Sequence, residues 1–339
     1  MSGCQLGYIT KNAFEQMRII HGQIPIEQAL EDPQLSSEEK RKLRLVHEVR
    51  DYSINKLSLK PTKNYSGFYH LNRTSVSYVL SASEKWQLNP YIWSYPLVGK
   101  MPYKGYFDEQ SARDEKRTLE KMDLDVYLRG VSAYSTLGWF KDPVLSSMLQ
   151  AKDHDLVNTL IHEMTHSTLY IKNNADFNER MAVFVGNKAT EKFYLDKEGP
   201  DSMTFQLIKK ENEDDQVFSE FISQEVRELK QWYSKLSPGE RQIDLRDRRL
   251  KEIQTRFENK ILPKMKTDSY TKFSTIELNN ARILVYRTYM SDLSDFEKLY
   301  EKVGQNWIAF FEILKKMEKS KDPEMELKAH LAQGTSSDE

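Results

Sequence analysis

The sequence predicts an α+β fold, with a small twisted sheet, a helix that carries the chemistry and a mostly helical remainder. Three observations lead there. Apolar residues recur at three- and four-residue spacing over long segments at both ends of the chain. Between residues 73 and 140 the composition shifts to β-branched, aromatic, Pro and Gly residues. Beyond that stretch, His162, Glu163 and His166 spell H-E-x-x-H inside an apolar, helix-compatible run.

The chain opens with helical patterns. Ile9, Ala13, Met17, Ile20 and Ile24 give a helix over 7–24, and residues 26–30 a short second one. Ser36-Ser37-Glu38-Glu39 offers a capping start for a third, over 37–57. Residues 1–58 therefore read as a supporting helical segment. His21 fits packing, and His47-Glu48, followed by Val49, Arg50 and Asp51, fits a solvated helix face.

From residue 59 a catalytic core is expected, running to 199. Residues 73–82 read as a strand. The aromatics of 91–107 are broken by Pro and Gly, as in a hairpin or irregular paired strands. A charged helix follows over 108–122, then a strand over 125–129 that leads into residues 130–140. Ser132, Ala133, Tyr134, Ser135, Thr136, Leu137 and Gly138 lie some twenty residues before the motif and carry no charge. In zinc peptidases of this kind the strand before the metal helix pairs with the substrate backbone, so these seven are the candidate substrate strand.

The motif itself has a geometric rationale. Residues four apart on a helix share a face, so His162 and His166 can present two imidazole nitrogens to one ion. Glu163 is offset by about 100° and suits a general base better than a ligand. A third ligand is needed, usually His, Asp or Glu. The pattern that places Gly and then His soon after the motif fails, because Leu169 and Lys172 stand there. After the polar turn Lys172-Asn173-Asn174-Ala175-Asp176, a second helix begins with Asn178-Glu179. Packed back on the first, with Ala182 and Gly186 permitting close approach, it would bring Glu179 to the two histidines. Asp176 and Glu191 are next in line. The expected cofactor is one Zn2+, in a zincin-like fold.

The remainder, 200–332, reads as helical: 203–236, a turn at Ser237-Pro238-Gly239, and 240–265 as an antiparallel hairpin with a solvated surface. Helices over 276–290, 293–303 and 305–319 follow. Residues 333–339 have the composition of a disordered tail. No internal repeat is visible.

Composition bounds the partners. With 30% charged residues and a net charge of −1, there is no global electrostatic case for nucleic acid. No run approaches a membrane-spanning length. The single cysteine, Cys4, excludes an intrachain disulfide. Ser2-Gly3-Cys4 is similar to the processing site of a bacterial lipoprotein signal, which makes Cys4 a lipidation candidate. The expected location is then the cell envelope, facing the periplasm, with the membrane touched only through that lipid.

Two further runs carry a family resemblance. Trp93-Ser94-Tyr95-Pro96-Leu97-Val98-Gly99-Lys100-Met101-Pro102-Tyr103-Lys104-Gly105-Tyr106-Phe107 and Val131-Ser132-Ala133-Tyr134-Ser135-Thr136-Leu137-Gly138-Trp139-Phe140-Lys141-Asp142-Pro143 precede the zinc motif. Phe177-Asn178-Glu179 and Asn279-Asn280-Ala281-Arg282 follow it. Together they resemble the predicted aminopeptidase family of bacterial lipoproteins, over most of residues 4–319. The resemblance implies a gluzincin-like metallopeptidase with His162, His166 and Glu179 as zinc ligands, Glu163 as base and Cys4 lipidated.

Zinc of this kind polarises a scissile carbonyl and acidifies its water, with Glu163 moving the proton to the leaving amine. An oxyanion donor is also required. Tyr289 is the first choice, since gluzincins often draw a Tyr from a later helix, with Tyr134 and Tyr286 as alternatives. The partner is then a peptide or protein substrate. An aminopeptidase must also hold the substrate ammonium, and the candidate strand has no acid; Asp142 is the nearest in sequence. Either Asp142 or an acid from a distant segment folds into the cleft, or the amine is not read and the cleft, open at both ends, cuts internal bonds; the residues favour the second. The rival classes are a catalytically silent scaffold lipoprotein and a hydrolase of a non-peptide amide.

Overall fold

Helices and short strands alternate through the first half of the chain, and helices alone make the second. The computed structural model describes residues 3–71, 73–95, 99–131, 141–290 and 292–332, with backbone alone for 3–6 and 9. The whole candidate substrate strand, Ser132 to Gly138, lies outside the described residues. So do the tail from 333 and the side chain of Cys4.

Three helices open the chain: α1 (Gly3–Gly22), α2 (Ile26–Glu31) and α3 (Ser37–Asn55). The cap expected for α3 is present, set at Ser36. Its hydroxyl accepts from the Glu39 N–H at 3.2 Å, while the Glu39 carboxylate accepts from the Ser36 N–H at 2.9 Å. Leu43, Val46 and Val49 give α3 a fully buried stripe.

The strands are short and fall into three sheets. The first joins β1 (Ile24–Pro25), β2 (Gly67–Tyr69) and β8 (Val144–Leu145). The second, the largest, pairs β3 (Ser77–Glu84) antiparallel with β6 (Tyr103–Tyr106) on one side and β7 (Leu124–Val131) on the other. A separate hairpin pairs β4 (Trp93–Tyr95) with β5 (Gly99–Met101). Where one small sheet was expected, proline divides the strands: Pro25 ends β1, Pro102 separates β5 from β6, and Pro143 precedes β8. Proline has no N–H to give a ladder. The strand expected from residue 73 starts at Ser77, because the Arg73 guanidinium bonds the carbonyls of Phe107 and Val76 at 2.8 and 3.0 Å.

Two helices cover the central sheet. The charged segment forms α4 (Glu109–Lys121), capped by Asp108, whose carboxylate accepts from the Ser111 N–H at 2.8 Å. Ala112 and Leu119 of α4 pack on Leu80, Ala82 and Val126. The other face, with Val79 and Ser81, meets α9 (Asn280–Tyr289). The motif helix α5 (Asp153–Thr168) instead packs on α3 and on α6 (Ala175–Glu198).

The helical remainder continues with α7 (Met203–Lys235) and α8 (Ile243–Arg256). These form the expected antiparallel pair, bridged by Arg256 on Glu225 at 2.5 and 2.7 Å. Their inner faces are apolar: Phe218, Phe221, Leu229 and Ile253 belong to a second core, which Phe257 and Phe273 join from the segment after α8. The long helix expected to run to 265 is cut short. A π-turn at Phe257–Ile261 and a 3-10 turn at Leu262–Lys264 replace its end, where Pro263 cannot donate the helical hydrogen bond.

Past α9 come α10 (Ser294–Lys302), α11 (Trp307–Lys316) and α12 (Pro323–Ala332). The last has no counterpart in the sequence reading; its Leu327 is fully buried. Aromatic contacts of Phe184 on α6 with Phe296 and Phe310 tie these helices into the first core. That core extends from Ile19 through α3, α5 and α6 to Leu327.

Candidate metal centre and catalytic site

The site begins with how α5 is held. Leu156, Val157, Leu160, Ile161 and Met164 bury one side of it. At its first turn Arg41 grips Asp153 through two hydrogen bonds of 2.6 and 2.7 Å, and Lys42 bonds the carbonyls of Leu149 and Ala151. Thr165 and Thr168 turn their hydroxyls back onto the carbonyls of Ile161 and Met164 at 2.8 Å. His162, Glu163 and His166 are left facing α6.

A single residue shapes the turn into α6. The Asn178 side chain accepts from the Ile171 N–H at 2.9 Å and donates to the Ile171 carbonyl at 2.8 Å. One residue later, Glu179 points back at α5. Further along, Gly186 allows the close approach that its size implies: a Cβ there would sit 3.1 Å from the Asn158 Oδ1 and 3.4 Å from its carbonyl.

Three donor atoms converge. His162 Nε2 lies 3.2 Å from His166 Nε2, and Glu179 Oε2 lies 3.4 and 3.7 Å from the two nitrogens. A tetrahedral zinc with bonds of about 2.0–2.1 Å needs ligand atoms roughly 3.3–3.4 Å apart. The observed set brackets that value, so the residues fit the ion. The alternatives kept for the third ligand are engaged elsewhere. Asp176 accepts from Thr288 at 3.0 Å and pairs with Arg287, and Glu191 accepts from Asn212 at 3.3 Å.

The two carboxylates are tuned in opposite directions. Burial pushes Glu163 up to about 7; His162 opposes, and the charges of Glu179 and Asp142 add to the rise. Burial also acts to raise Glu179, but the facing imidazoles of His166 and His162 outweigh it and hold Glu179 well below the usual carboxylate range. One is poised to exchange protons near neutrality, and the other stays ionised as a ligand must.

Behind α5 lies a supporting layer absent from the sequence reading. Asn64 donates to the Ser167 hydroxyl at 3.1 Å and accepts from the Asp142 N–H at 3.3 Å. The Tyr65 N–H closes on the Asp142 carbonyl at 2.6 Å. Asp142 itself is 1% exposed. Its charge therefore reaches Glu163 from a buried position.

Tyr289, the last residue of α9, also stands at the site. Burial raises its hydroxyl pKa, Glu179 and Glu163 add to that, and Arg129 opposes. Arg129 Nη2 donates to the Tyr289 oxygen at 3.3 Å. Tyr286 does not belong here: it packs against Phe218 and Phe273 in the second core. Tyr134 lies outside the described residues. Tyr103 was missed by sequence reasoning, yet it stands half-buried near Glu179, Tyr289 and Glu163, whose charges all push its hydroxyl up after burial does. Nothing in its Pro- and Gly-broken surroundings marks it. Arg129 had a faint signal, as the one cation in a short strand.

A second group, His154, Asp155 and Glu211, also brings three donor atoms within 4.8 Å. With His154 Nε2 3.0 Å from Glu211 Oε2, it ties the first turn of α5 to α7.

A protein-family model described as "Putative aminopeptidase" matches residues 7–329. The chain belongs to this family. That membership makes peptide hydrolysis the activity class. No curated protein and no solved structure matches the chain.

Proposed function

We propose that this protein is a zinc-dependent aminopeptidase of the gluzincin type. The observation that carries the reading is the convergence of His162, His166 and Glu179, with the Glu163 carboxylate within electrostatic reach of His162 and Glu179. Those three would hold the ion, which when bound supplies Lewis acidity to the substrate carbonyl and acidifies water. Glu163 accepts the proton of the attacking water and returns it to the leaving amine, a task suited to a carboxyl pushed up to about 7. Tyr289 donates to the carbonyl oxygen as negative charge develops there. Because Arg129 donates to the Tyr289 oxygen, the hydroxyl proton remains available for that bond.

The test separates ligand from base. Glu163→Gln should keep zinc near one per chain while peptide hydrolysis falls by a factor on the order of 10² to 10⁴. His162→Ala and Glu179→Ala should lose the metal. Undiminished turnover in Glu163→Gln would sink the mechanism, and a wild type that cleaves nothing would favour a scaffold.

The family membership favours the exopeptidase form, and Asp142 is an acid whose buried charge reaches the proposed base. Matched peptides with free and acetylated N-termini check this. Strict dependence on the free amine, lost in Asp142→Asn, is expected; equal cleavage at internal bonds would make the enzyme an endopeptidase.

The proposal extends to a lipid on Cys4 that holds the enzyme at the periplasmic side of the cell envelope. Among the described residues no helix is long and apolar enough to cross a membrane. Mass spectrometry of the protein from its native membrane would read an acylated Cys4 directly.

A further inference from the structure

Beside the proposed centre lies a cavity of about 520 Å³, and Tyr103 and Tyr289 both line it. Six charged side chains join them: Lys100, Arg129, Arg180 and Arg287 against Asp176 and Glu324. The lining thus has four cations and two carboxylates, an excess of two positive charges. Both carboxylates are already engaged. Arg287 and Thr288 hold Asp176 at 3.2 and 3.0 Å, and Arg180 holds Glu324.

Among the described residues Arg129 has no such counterion: no carboxylate comes within 4.0 Å of its guanidinium, whereas Arg180 and Arg287 each have one. Its Nη2 reaches Tyr289 at 3.3 Å, and the guanidinium carbon stands 5.3 Å from that ring. Its Nε is shielded from solvent and donates to no described group. A guanidinium carries five N–H donors in a planar fork that matches a carboxylate. Orienting Tyr289 uses one of them. A partly buried cation with unused donors, in a cavity of net positive charge, is the arrangement of an anion receptor.

We propose that Arg129 receives a carboxylate of the substrate, so that the enzyme selects peptides with a negative charge near the cleaved bond. This deepens the peptidase reading and rests on it. Two sources share the chemistry: the C-terminal carboxylate of a short peptide, or an Asp or Glu side chain within a longer one.

Calorimetric binding to the zinc-loaded Glu163→Gln protein tests this without turnover. One pair of tetrapeptides differs only in a free or amidated C-terminus, the other only in Glu or Gln next to the first peptide bond. The carboxylate member of one pair should bind tighter by a factor on the order of ten to a hundred. Which pair responds identifies the source. Arg129→Met should erase the difference, and Arg129→Lys should keep part of it. Equal affinities within both pairs, or a preference that survives Arg129→Met, would overturn the proposal. If the preference holds in binding while wild-type protein cleaves none of the four peptides, the carboxylate receptor stands and the peptidase reading fails.

Discussion

Glu163 and Glu179 both feel the charge of His162, yet their acidities move apart. The difference lies in direction. Glu179 presents Oε2 to both Nε2 atoms and is stabilised as an anion, whereas Glu163 has a single favourable charge, His162, set against burial and two carboxylates. The proposed ligand and the proposed base are thus separated by environment, since their chemistry is the same. Tyr289 belongs to the same scale. If it donates to the oxyanion, Tyr289→Phe should lower kcat by about ten- to a thousandfold with KM little changed, because the lost bond forms only in the transition state. Steady-state kinetics on one good peptide would show it. Full kcat in that variant, with a comparable fall in Tyr103→Phe, would move the donor to Tyr103, which stands among the same charges.

At the scale of elements, α5 and α6 owe their mutual register to the turn between them. Asn178 satisfies both polar groups of Ile171 from a fully enclosed position, being 1% exposed. Asn178→Ala strands a buried N–H and a buried carbonyl, so a loss of roughly 2–4 kcal/mol is expected. Zinc affinity should fall with it, because Glu179 is the next residue. Urea titrations and a competitive chelator assay measure the two effects. An unchanged chelator midpoint would detach the turn from the metal. Much of this element was legible in sequence, because helix periodicity and the i, i+4 rule are local: α5, α6 and the pairing of His162 with His166 follow from them, and Glu179 needs only the second helix to pack back on the first. The rest was not. Tyr103 and Arg129 reach the site through strand pairing and the packing of α9, contacts between residues far apart in the chain, which no local pattern encodes. The three-way division of the sheet was nearer the surface of the sequence, in Pro25, Pro102 and Pro143.

On the scale of the whole molecule, α7 connects two cores. Phe205 and Ile208 near its start lie in the first, and Phe218, Phe221 and Leu229 in the second. Between them stand two adjacent aspartates with opposite surroundings. Asp214 accepts from the N–H groups of Lys266 and Thr267 at 2.8 Å and fastens the segment after α8. Asp215 is raised to about 6, chiefly by burial, against the bond it accepts from the Tyr270 hydroxyl at 2.5 Å and with the charges of Glu211 and Asp214 adding to the rise. The folded state therefore binds this proton more tightly than the unfolded chain does. Its stabilising contribution is complete below about pH 4 and is lost as pH rises through about 6. Asp215→Asn keeps the acceptor for Tyr270 and removes the buried charge. The variant should be more stable than wild type at pH 7.5, by about 1–2 kcal/mol after allowing for partial solvent contact, and equal to it at pH 4. Paired urea unfolding curves across that range decide the matter. A constant difference at all pH values would mean that the amide itself repacks the junction, and a less stable variant at pH 7.5 would mean that the charge holds the two cores together.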